Sequence, residues 1–158
     1  MLPAVLREFK ESFPQCVIAI EPGDAPDMID APHQHRIVLA VNPEPRREDS
    51  LEFRPLFTDE LLFLVSPLHP WAEAGKGIRD EIPRQHYILY GKGSYTSRMI
   101  EEYFRKEQVV LHSQLDLGNL EAIKELVQLG LGISILAPWT ARKELGEKSL
   151  GRRKLKRR

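Results

Sequence analysis

The 158-residue chain has almost no cysteine and no long apolar run. Its one cysteine, Cys16, excludes an intramolecular disulfide, and its place in the apolar run CVIAI predicts a buried structural thiol. No apolar segment approaches the roughly 20 residues that a membrane-spanning helix needs. The start also lacks the basic and then apolar pattern of a secretion signal. These absences predict a cytoplasmic protein without a membrane partner.

Motifs for metal binding, catalysis and nucleotide binding are missing as well. No CxxC or HExxH spacing occurs and the five histidines are scattered, whereas a metal site needs convergent ligands. There is no GxSxG elbow, Walker loop or complete GxGxxG turn. We therefore predict a non-enzyme with no catalytic residue, no metal and no cofactor.

Charge of either sign is balanced in total but not along the chain. The 23 basic and 23 acidic residues give a net charge of zero, but residues 151–158, GRRKLKRR, hold six of the basic groups. The remainder thus has 17 basic against 23 acidic residues, a net charge of −6. A body of that sign attracts phosphate poorly. We interpret the basic tail as a solvated surface segment brought near acidic residues, or as part of a strand whose neighbours are missing, in preference to a contact with DNA or a membrane.

What the sequence does contain is an alternation of helical and strand patterns. Residues 61–65, LLFLV, are continuously apolar, which is typical of a strand buried on both faces. Pro32 falls inside a predicted helix and should kink or shorten it. Helices are predicted at residues 2–13, 24–36, 96–107 and 139–147. Strands are predicted at residues 17–20, 37–41, 87–90 and 109–117, and two more within residues 51–67, on either side of a break at residues 58–59. The alternation favours parallel sheet covered by helices.

The stretch DLGNLEAIKELVQLGLGISILAP, residues 116–138, predicts a loop, a helix, a turn and a buried strand. Asn119 is a favourable N-cap, because its side chain can accept a hydrogen bond from a free amide of the first turn. Gly130 follows the helix, where the left-handed backbone conformation favours glycine. Gly132 then opens the apolar run ISILA, which Pro138 stops. A helix feeding a buried strand belongs to an α/β sheet.

This stretch resembles the signature "lV..GlGia.lP" of the effector-binding domain of LysR-type transcriptional regulators. Four other segments resemble landmarks of that family in the expected order: LPAVLREFKESFP, RIVLAV, LFTDELLFLVSPLHPWA and YILYGKGSYTSRMIEEYF. The chain departs from the family at Val38, where an aspartate is frequent, and at Pro32, where an apolar residue is expected. It contains no helix-turn-helix, and we expect an effector domain that lacks its first strand and its last elements.

The resemblance implies an α/β, two-lobed, type 2 periplasmic-binding-protein-like fold. Each lobe would be a mostly parallel sheet flanked by helices. Residues 1–64 would form the first lobe, residues 65–138 the second lobe, and residues 139–158 a truncated return segment toward the first lobe. A small-molecule effector in the cleft between the lobes would control how the oligomer is arranged on DNA.

The resemblance also implies the partners of the protein. DNA would be contacted only through an N-terminal helix-turn-helix outside this chain. Effector domains of the family pair antiparallel through a first-lobe helix and a second-lobe helix, which match residues 2–13 and 96–107 here. We therefore expect a homodimer or a tetramer.

The run GKGSYTSR, residues 91–98, is the first candidate for ligand binding. Glycines let the backbone approach a ligand, and free amides and hydroxyls at a helix start favour an anion. The candidate residues are Gly93, Ser94, Tyr95 and Thr96, and the effector is expected to be a small anion or carboxylate. The alternative is that Ser94 or Thr96 only caps the helix.

Two further candidates for ligand binding lie elsewhere in the chain. Asn119 sits at the start of a second helix, and Asn42 follows a predicted strand of the first lobe. Asn119 is alternatively only a cap, and Asn42 alternatively lies in a plain turn. For the whole protein, a solute-binding protein that serves transport is the alternative function, and an enzyme on the same fold is a third possibility.

Overall fold

The computed structural model describes residues 2–21, 23, 32, 37–41, 52–73 and 79–154. Contacts along the chain define two units, Met1–Val41 and Asn42–Arg158. The helix predicted at residues 24–36 lies almost entirely outside the described residues, and so does Asn42. Each unit is described in turn.

Among its described residues, the first unit has a helix, α1, at Leu2–Ser12. Its apolar side chains share a face as predicted, but no residue of the helix is buried. The rings of Phe9 and Phe13 lie 4.9 Å apart between centroids. The Lys10 ammonium donates to the carbonyl oxygens of Pro14 and Cys16, at 3.2 and 2.8 Å. A basic side chain at this end satisfies carbonyls that the helix leaves unpaired.

Three expectations for the first unit are wrong. Residues 17–20 and 37–41 form no strand, and Cys16 is exposed rather than buried. A strand of four or five residues is stable only when another strand completes its hydrogen bonds. Among the described residues, all strand pairing lies between Leu62 and Lys154. The apolar run after Cys16 has no strand partner among the described residues, and its side chains Val17, Ile18 and Ile20 are exposed.

The second unit contains five strands, four helices and two 3₁₀ segments among its described residues. The strands are β1 at Leu62–Val65, β2 at Tyr87–Tyr90, β3 at Ser113–Leu117, β4 at Ser134–Leu136 and β5 at Gly151–Lys154. The helices are α2 at Pro70–Glu73, α3 at Tyr95–Lys106, α4 at Leu120–Gln128 and α5 at Arg142–Gly146. The 3₁₀ segments are Arg79–Arg84 and Pro138–Ala141. The principal helices and strands predicted beyond residue 60 are therefore confirmed. The strand predicted between residue 51 and the break at residues 58–59 is wrong, because residues 52–60 form no strand.

The strand directions correct the expectation of a mostly parallel sheet. β1 is central in the order β4-β1-β5 and pairs antiparallel with both neighbours, whereas β2 and β3 pair in parallel. A parallel bridge between Tyr87 and Ile133 joins the two groups into the order β3-β2-β4-β1-β5. The apolar run of β1 is buried along its whole length, as predicted. A strand is buried on both faces whenever other elements pack on both sides of its sheet. This burial occurs in parallel and antiparallel sheets alike, so the apolar pattern of β1 does not indicate the direction of its neighbours.

The core of the second unit lies on both faces of this mixed sheet. One cluster contains Phe63, Tyr87 and Ile135 with Ile100 and Phe104 of α3. The other cluster contains residues from the same strands that point to the opposite face, together with side chains of α4; its members are Leu64, Ile88, Ile123, Val127, Leu136, Ala141 and Leu150. Neighbouring residues of a strand point to opposite faces, and α3 and α4 therefore cover the sheet from opposite sides.

The basic tail is in part an edge strand, because β5 pairs with β1 from Leu62↔Lys154 to Val65↔Gly151. The Arg153 guanidinium donates to the carbonyl oxygens of Trp71 and Ala72, which fastens β5 to α2. β1 also spans the lobe boundary predicted after residue 64. The lobe ranges stay a prediction.

Gly130 and Gly132 act differently in the turn between α4 and β4. Gly130 has φ of +77°, the left-handed conformation predicted for it. Gly132 is required for space, because a Cβ built there lies 2.8 Å from the carbonyl oxygen of His86 and 3.0 Å from Ile88 Cγ1. The Ile133 amide beside it donates to the same His86 oxygen at 2.9 Å. The missing side chain therefore permits the bridge between β2 and β4.

We predict that Gly132→Ala destabilises the protein by about 1–3 kcal/mol, since the backbone of His86 must move to admit the methyl group. Urea denaturation of the variant and of the wild type measures the difference. Gly146→Ala is the matched control, because nothing lies within 4 Å of a Cβ built at Gly146. Equal stability of Gly132→Ala and wild type would contradict the close approach.

A buried ion pair connects α4 to α5. The Lys124 ammonium lies 2.7 Å from Glu144 Oε1 and 2.8 Å from Glu121 Oε1, and its side chain is almost fully buried. Burial opposes the charged amine, but the hydrogen bonds with Glu121 and Glu144 raise the pKa of Lys124 above its ordinary value. The hydrogen bond from Lys124 holds the pKa of Glu144 below its ordinary value. Among the described residues, Glu144 Oε2 has no hydrogen-bond partner. The charged form of the Glu144 carboxylate is thus stabilised mainly by its hydrogen bond from Lys124.

We predict that Lys124→Met destabilises the protein by about 3–5 kcal/mol, because it leaves the Glu144 carboxylate buried without its cation. Adding Glu144→Leu should recover most of this loss, whereas Lys143→Met, on the exposed side of α5, should have little effect. Since the pKa of Glu144 is lowered on folding, its stabilising contribution is present above its ordinary value of 4.5 and disappears as pH falls through the lowered pKa. The stability difference between wild type and Glu144→Gln, followed by thermal unfolding, should therefore shrink with acidification below that pH.

Candidate functional site

Three strands of the second unit bring their carboxyl ends to one edge of the sheet. β2 is parallel to β3 and, through the Tyr87–Ile133 bridge, to β4. The Gly91 amide donates to the Leu117 carbonyl at 3.0 Å, so the ends of β2 and β3 lie side by side. α3 follows β2 and α4 follows β3. Helix starts at the carboxyl ends of parallel strands form the usual ligand-binding edge of an α/β sheet.

A tight turn connects β2 to α3. The Ser94 amide donates to the Gly91 carbonyl at 3.2 Å, and Gly93 has φ of +89° in the third position. A positive φ there is the mark of a type II turn and favours glycine. Lys92 occupies the second position and is exposed. The turn thus projects a lysine beside the start of α3.

Ser94 is the N-cap of α3. Its backbone is extended, and its Oγ accepts a hydrogen bond from the Ser97 amide at 3.1 Å. The capping interpretation is therefore correct. The Ser94 hydroxyl keeps hydrogen-bonding capacity beyond the cap, because a hydroxyl that accepts a hydrogen bond can still donate its proton. The side chain is only 7% exposed. Tyr95 and Thr96, the first two residues of α3, are half-buried beside it.

Asn119 is the N-cap of α4, as predicted. Its Oδ1 accepts from the amides of Glu121 and Ala122, at 2.9 and 3.2 Å. Because both partners are donors, the acceptor must be the oxygen, and this fixes the orientation of the amide. The Nδ2 group with its two protons is left for other acceptors. Asn119 is exposed, so its side chain is accessible to a ligand.

Charges of both signs lie at this edge, with Glu121 in the first turn of α4 and Asp116 near the end of β3. No acidic residue lies in the first turn of α3, where one would complement the helix dipole. Lys92 precedes that turn and Arg98 follows it, both exposed. The Lys92 ammonium lies 3.2 Å from Asp116 Oδ2 on β3. The start of α3 therefore directs backbone N–H groups and cationic side chains to the same region.

Most of the predicted ligand residues come together at this edge. Gly93, Ser94, Tyr95 and Thr96 lie at the start of α3, and Asn119 lies at the start of the neighbouring α4. Asn42 lies outside the described residues, so its place in the site stays a prediction. In the described part of the chain, no group of three or more His, Cys, Asp or Glu residues could hold a metal ion.

The sequence reasoning missed the ion pair between Lys92 and Asp116. The two residues lie 24 positions apart and meet only because Leu89 is opposite Asp116 in the parallel β2–β3 pair. The strand pattern alone does not specify that register. Lys92 follows the end of β2 and Asp116 lies near the end of β3. The positions of the two residues at the ends of predicted strands were the sequence feature that could have indicated the pair.

The arrangement defines a class of fold, an α/β domain in which the starts of two helices lie at one edge of the sheet. The family described as LysR substrate binding domain matches residues 1–158. The chain therefore belongs to the LysR substrate-binding-domain family, and the resemblance seen in its motifs is confirmed.

Relatives and solved structures agree with this assignment. The chain is 28% identical over 137 residues to the uncharacterized HTH-type transcriptional regulator YeiE of Escherichia coli K12, covering 87% of this chain and 46% of YeiE. It thus spans about half the length of the curated relatives. The regulatory domain of Synechocystis CcmR, solved with 2-PG, has a TM-score of 0.86 at 24% identity, covering 96% of this chain and 73% of that one. The effector-binding domain of QuiR, solved with shikimate, has a TM-score of 0.81 at 20% identity, covering 100% and 75%.

These likenesses confirm the α/β, periplasmic-binding-protein-like fold of LysR regulatory domains. None of the helices in the described residues is long and apolar enough to cross a membrane.

Proposed function

We propose that this chain is the effector-sensing part of a transcription regulator that binds DNA through a helix-turn-helix outside the chain. The observation that carries the proposal is the meeting of two capped helix starts at one sheet edge, in a member of the LysR substrate-binding-domain family. The named relatives are regulators, which favours sensing over solute transport. The protein works in the cytoplasm, where DNA is accessible, and is not an enzyme.

The ligand is a small anion or carboxylate. The backbone N–H groups at the start of α3, the hydroxyl proton of Ser94 and the Nδ2 protons of Asn119 are all donors, and an oxygen-rich anion accepts from groups of this kind. Gly93, Tyr95 and Thr96 complete the contact surface. CcmR with 2-PG and QuiR with shikimate support small-molecule binding in this fold. The exposed cations at this edge favour a negative charge on the ligand.

Signalling follows from differential binding. The DNA-bound oligomer has more than one arrangement, and the ligand stabilises the arrangement that binds it better. A ligand that bound all arrangements equally would shift nothing. The oligomer is a homodimer or a tetramer of this chain, paired through α1 and α3. The apolar face of α1, in which no residue is buried within its own chain, supports this pairing.

We predict that a small-metabolite screen by thermal shift yields an anionic ligand that raises the melting temperature of the protein, because a ligand of the folded state stabilises it by mass action. Asn119→Asp should abolish the response. The aspartate oxygen still caps α4, but the variant loses the Nδ2 donors and adds a negative charge. The double variant Ser94→Ala/Thr96→Ala removes the hydroxyls of α3 and should also abolish the response.

Melting of each variant without ligand is the control for folding. Asn119→Asp should melt close to the wild type, whereas Asn119→Ala should lose about 1 kcal/mol of stability with the cap. If a ligand still raises the melting temperature of both Asn119→Asp and Ser94→Ala/Thr96→Ala, its site lies elsewhere in the protein. A cooperatively melting protein that responds to no anion would contradict the proposed ligand class.

We predict that Val5→Arg weakens self-association. Val5 lies on the apolar face of α1 and is 56% exposed. Arginine can therefore be accommodated in the single chain, but it would place a charge in an apolar interface. Sedimentation velocity over a concentration series measures the dissociation constant.

Ala4→Arg is the matched control, since Ala4 lies on the side of α1 away from the apolar face formed by Leu2, Val5, Leu6 and Phe9, and the charge change is the same. Ala4 is exposed as well. Equal association of Val5→Arg and wild type would exclude the α1 face from the interface. Unfolding of Val5→Arg alone would show instead that Val5 packs in the core.

A further inference from the structure

We propose that His69 is a pH-sensitive switch, which holds the start of α2 while its imidazole is neutral and releases it when the imidazole is protonated. His69 lies in the turn between β1 and α2, and its ring contacts Gln85 just before β2. The candidate ligand residues, in contrast, follow β2 and β3. The switch is therefore separate from the proposed ligand site and does not depend on it.

Both ring nitrogens of His69 take part in hydrogen bonds. The Trp71 backbone amide donates to Nδ1 at 3.1 Å, and Nε2 lies 3.2 Å from Gln85 Oε1. A backbone amide can only donate, so Nδ1 must offer a lone pair. A neutral imidazole then carries its proton on Nε2, which donates to Gln85 Oε1. The two contacts together require the neutral ring with its proton on Nε2.

Protonation of the ring removes one of these hydrogen bonds. An imidazolium carries N–H groups on both nitrogens, so Nδ1 would direct a donor at the Trp71 amide, which is also a donor. Because Pro70 has no amide proton, Trp71 supplies the first N–H group of α2. A helix of four residues depends on its end contacts and on packing more than on its own hydrogen bonds. Loss of the Nδ1 acceptor therefore weakens the whole of α2.

α2 connects three other parts of the second unit. The buried ring of Trp71 packs edge-on against Phe63 of β1, with the ring centroids 5.2 Å apart. Its indole N–H donates to Glu81 Oε2 of the first 3₁₀ segment at 2.7 Å. The Arg153 guanidinium of β5 donates to the backbone carbonyls of Trp71 and Ala72. Release of α2 would thus loosen the 3₁₀ segment and β5 together.

The hydrogen-bonding partners of the His69 ring are a side-chain amide and a backbone amide, and neither compensates the positive charge of an imidazolium. Ionisable side chains on the surrounding elements include Glu73 of α2, Asp80, Glu81 and Arg84 of the 3₁₀ segment, His86 before β2 and Arg153 of β5. Of these, Glu81 and Arg153 have opposite charges and both bond to α2 itself. The contacts of the ring therefore favour its neutral form.

The direction of the pH response follows from this preference. Histidine is the side chain that changes charge between about pH 5 and 8. Since the folded protein uses the neutral ring, the stabilising contribution of His69 is present above this range and is lost as pH falls through it. The contribution of Glu144 is lost only at lower pH, below its ordinary value of 4.5, so the two effects are separable.

The first test compares urea unfolding at about pH 8 and about pH 5.5. His69→Asn keeps an acceptor near the position of Nδ1 and cannot be protonated, and His112→Asn, at an exposed histidine, is the matched control. Between these pH values, the unfolding equilibrium constant should rise about tenfold more in the wild type than in His69→Asn. His112→Asn should follow the wild type.

The second test observes α2 in the folded protein. Trp139→Phe leaves Trp71 as the only tryptophan, and the His69 and Trp71 rings lie 5.5 Å apart between centroids. Acidification should lower the Trp71 fluorescence and shift it to longer wavelength, and adding His69→Asn should abolish the change. Gln85→Glu places a carboxylate on the Nε2 proton, which favours the imidazolium. The midpoint should therefore move up by about one pH unit, whereas a ring that only fills space would not respond.

Equal pH dependence of unfolding in the wild type and His69→Asn would overturn the switch. A Trp71 fluorescence that is unchanged by acid, or a midpoint that Gln85→Glu leaves in place, would overturn it too. The nitrogen chemical shifts of the imidazoles in isotope-labelled wild type report the tautomer directly. At about pH 8 they should place the His69 proton on Nε2, and a proton on Nδ1 would contradict the proposed contacts. This measurement remains decisive if His69→Asn does not fold.

Discussion

The second unit depends on one close approach of backbone to backbone, at Gly132. The Ile133 amide reaches the His86 carbonyl at 2.9 Å, and the Ile88 amide reaches the Ile133 carbonyl at the same distance. These two hydrogen bonds join the β2–β3 pair to the β4-β1-β5 sheet. They also align β4 with β2, so that the carboxyl ends of three parallel strands share an edge. A side chain at Gly132 would occupy the space that makes this alignment possible.

The local signals in the sequence predicted the local structure of the second unit well. Asn119 caps α4, Gly130 has positive φ, and β1 is buried throughout, because each depends on neighbours in sequence or on burial alone. Strand direction could not be predicted in this way, since LLFLV gives the same pattern in parallel and antiparallel sheets. The strands expected in the first unit failed for a related reason. A strand is a property of a pair, and residues 17–20 have no pairing partner among the described residues.

The candidate site shows why capping and ligand binding are compatible interpretations of one residue. Ser94 and Asn119 each use an oxygen to accept backbone amides, and each retains protons that the cap does not use. The cap also fixes the direction of the Asn119 amide protons, because its planar amide is held by the accepting oxygen, whereas the Ser94 proton can still rotate about the C–O bond. Sequence reasoning treated the two roles as alternatives. The hydrogen bonds assign the two roles to different atoms, because the oxygen caps the helix and the protons are left for a ligand. The helix start is therefore capped whether or not a ligand is bound.

The buried pair Lys124–Glu144 gives this arrangement a rigid support. α4 begins at the candidate site and carries Lys124 on its buried side, while α5 carries Glu144 and leads into the edge strand β5. Removing either charge would leave the other one buried, so the two helices are bound to one relative position. The pair Lys92–Asp116, in contrast, has a solvated lysine, so water and salt screen it. Burial therefore distinguishes the two ion pairs, one enclosed between two helices of the scaffold and one whose lysine lies in solvent.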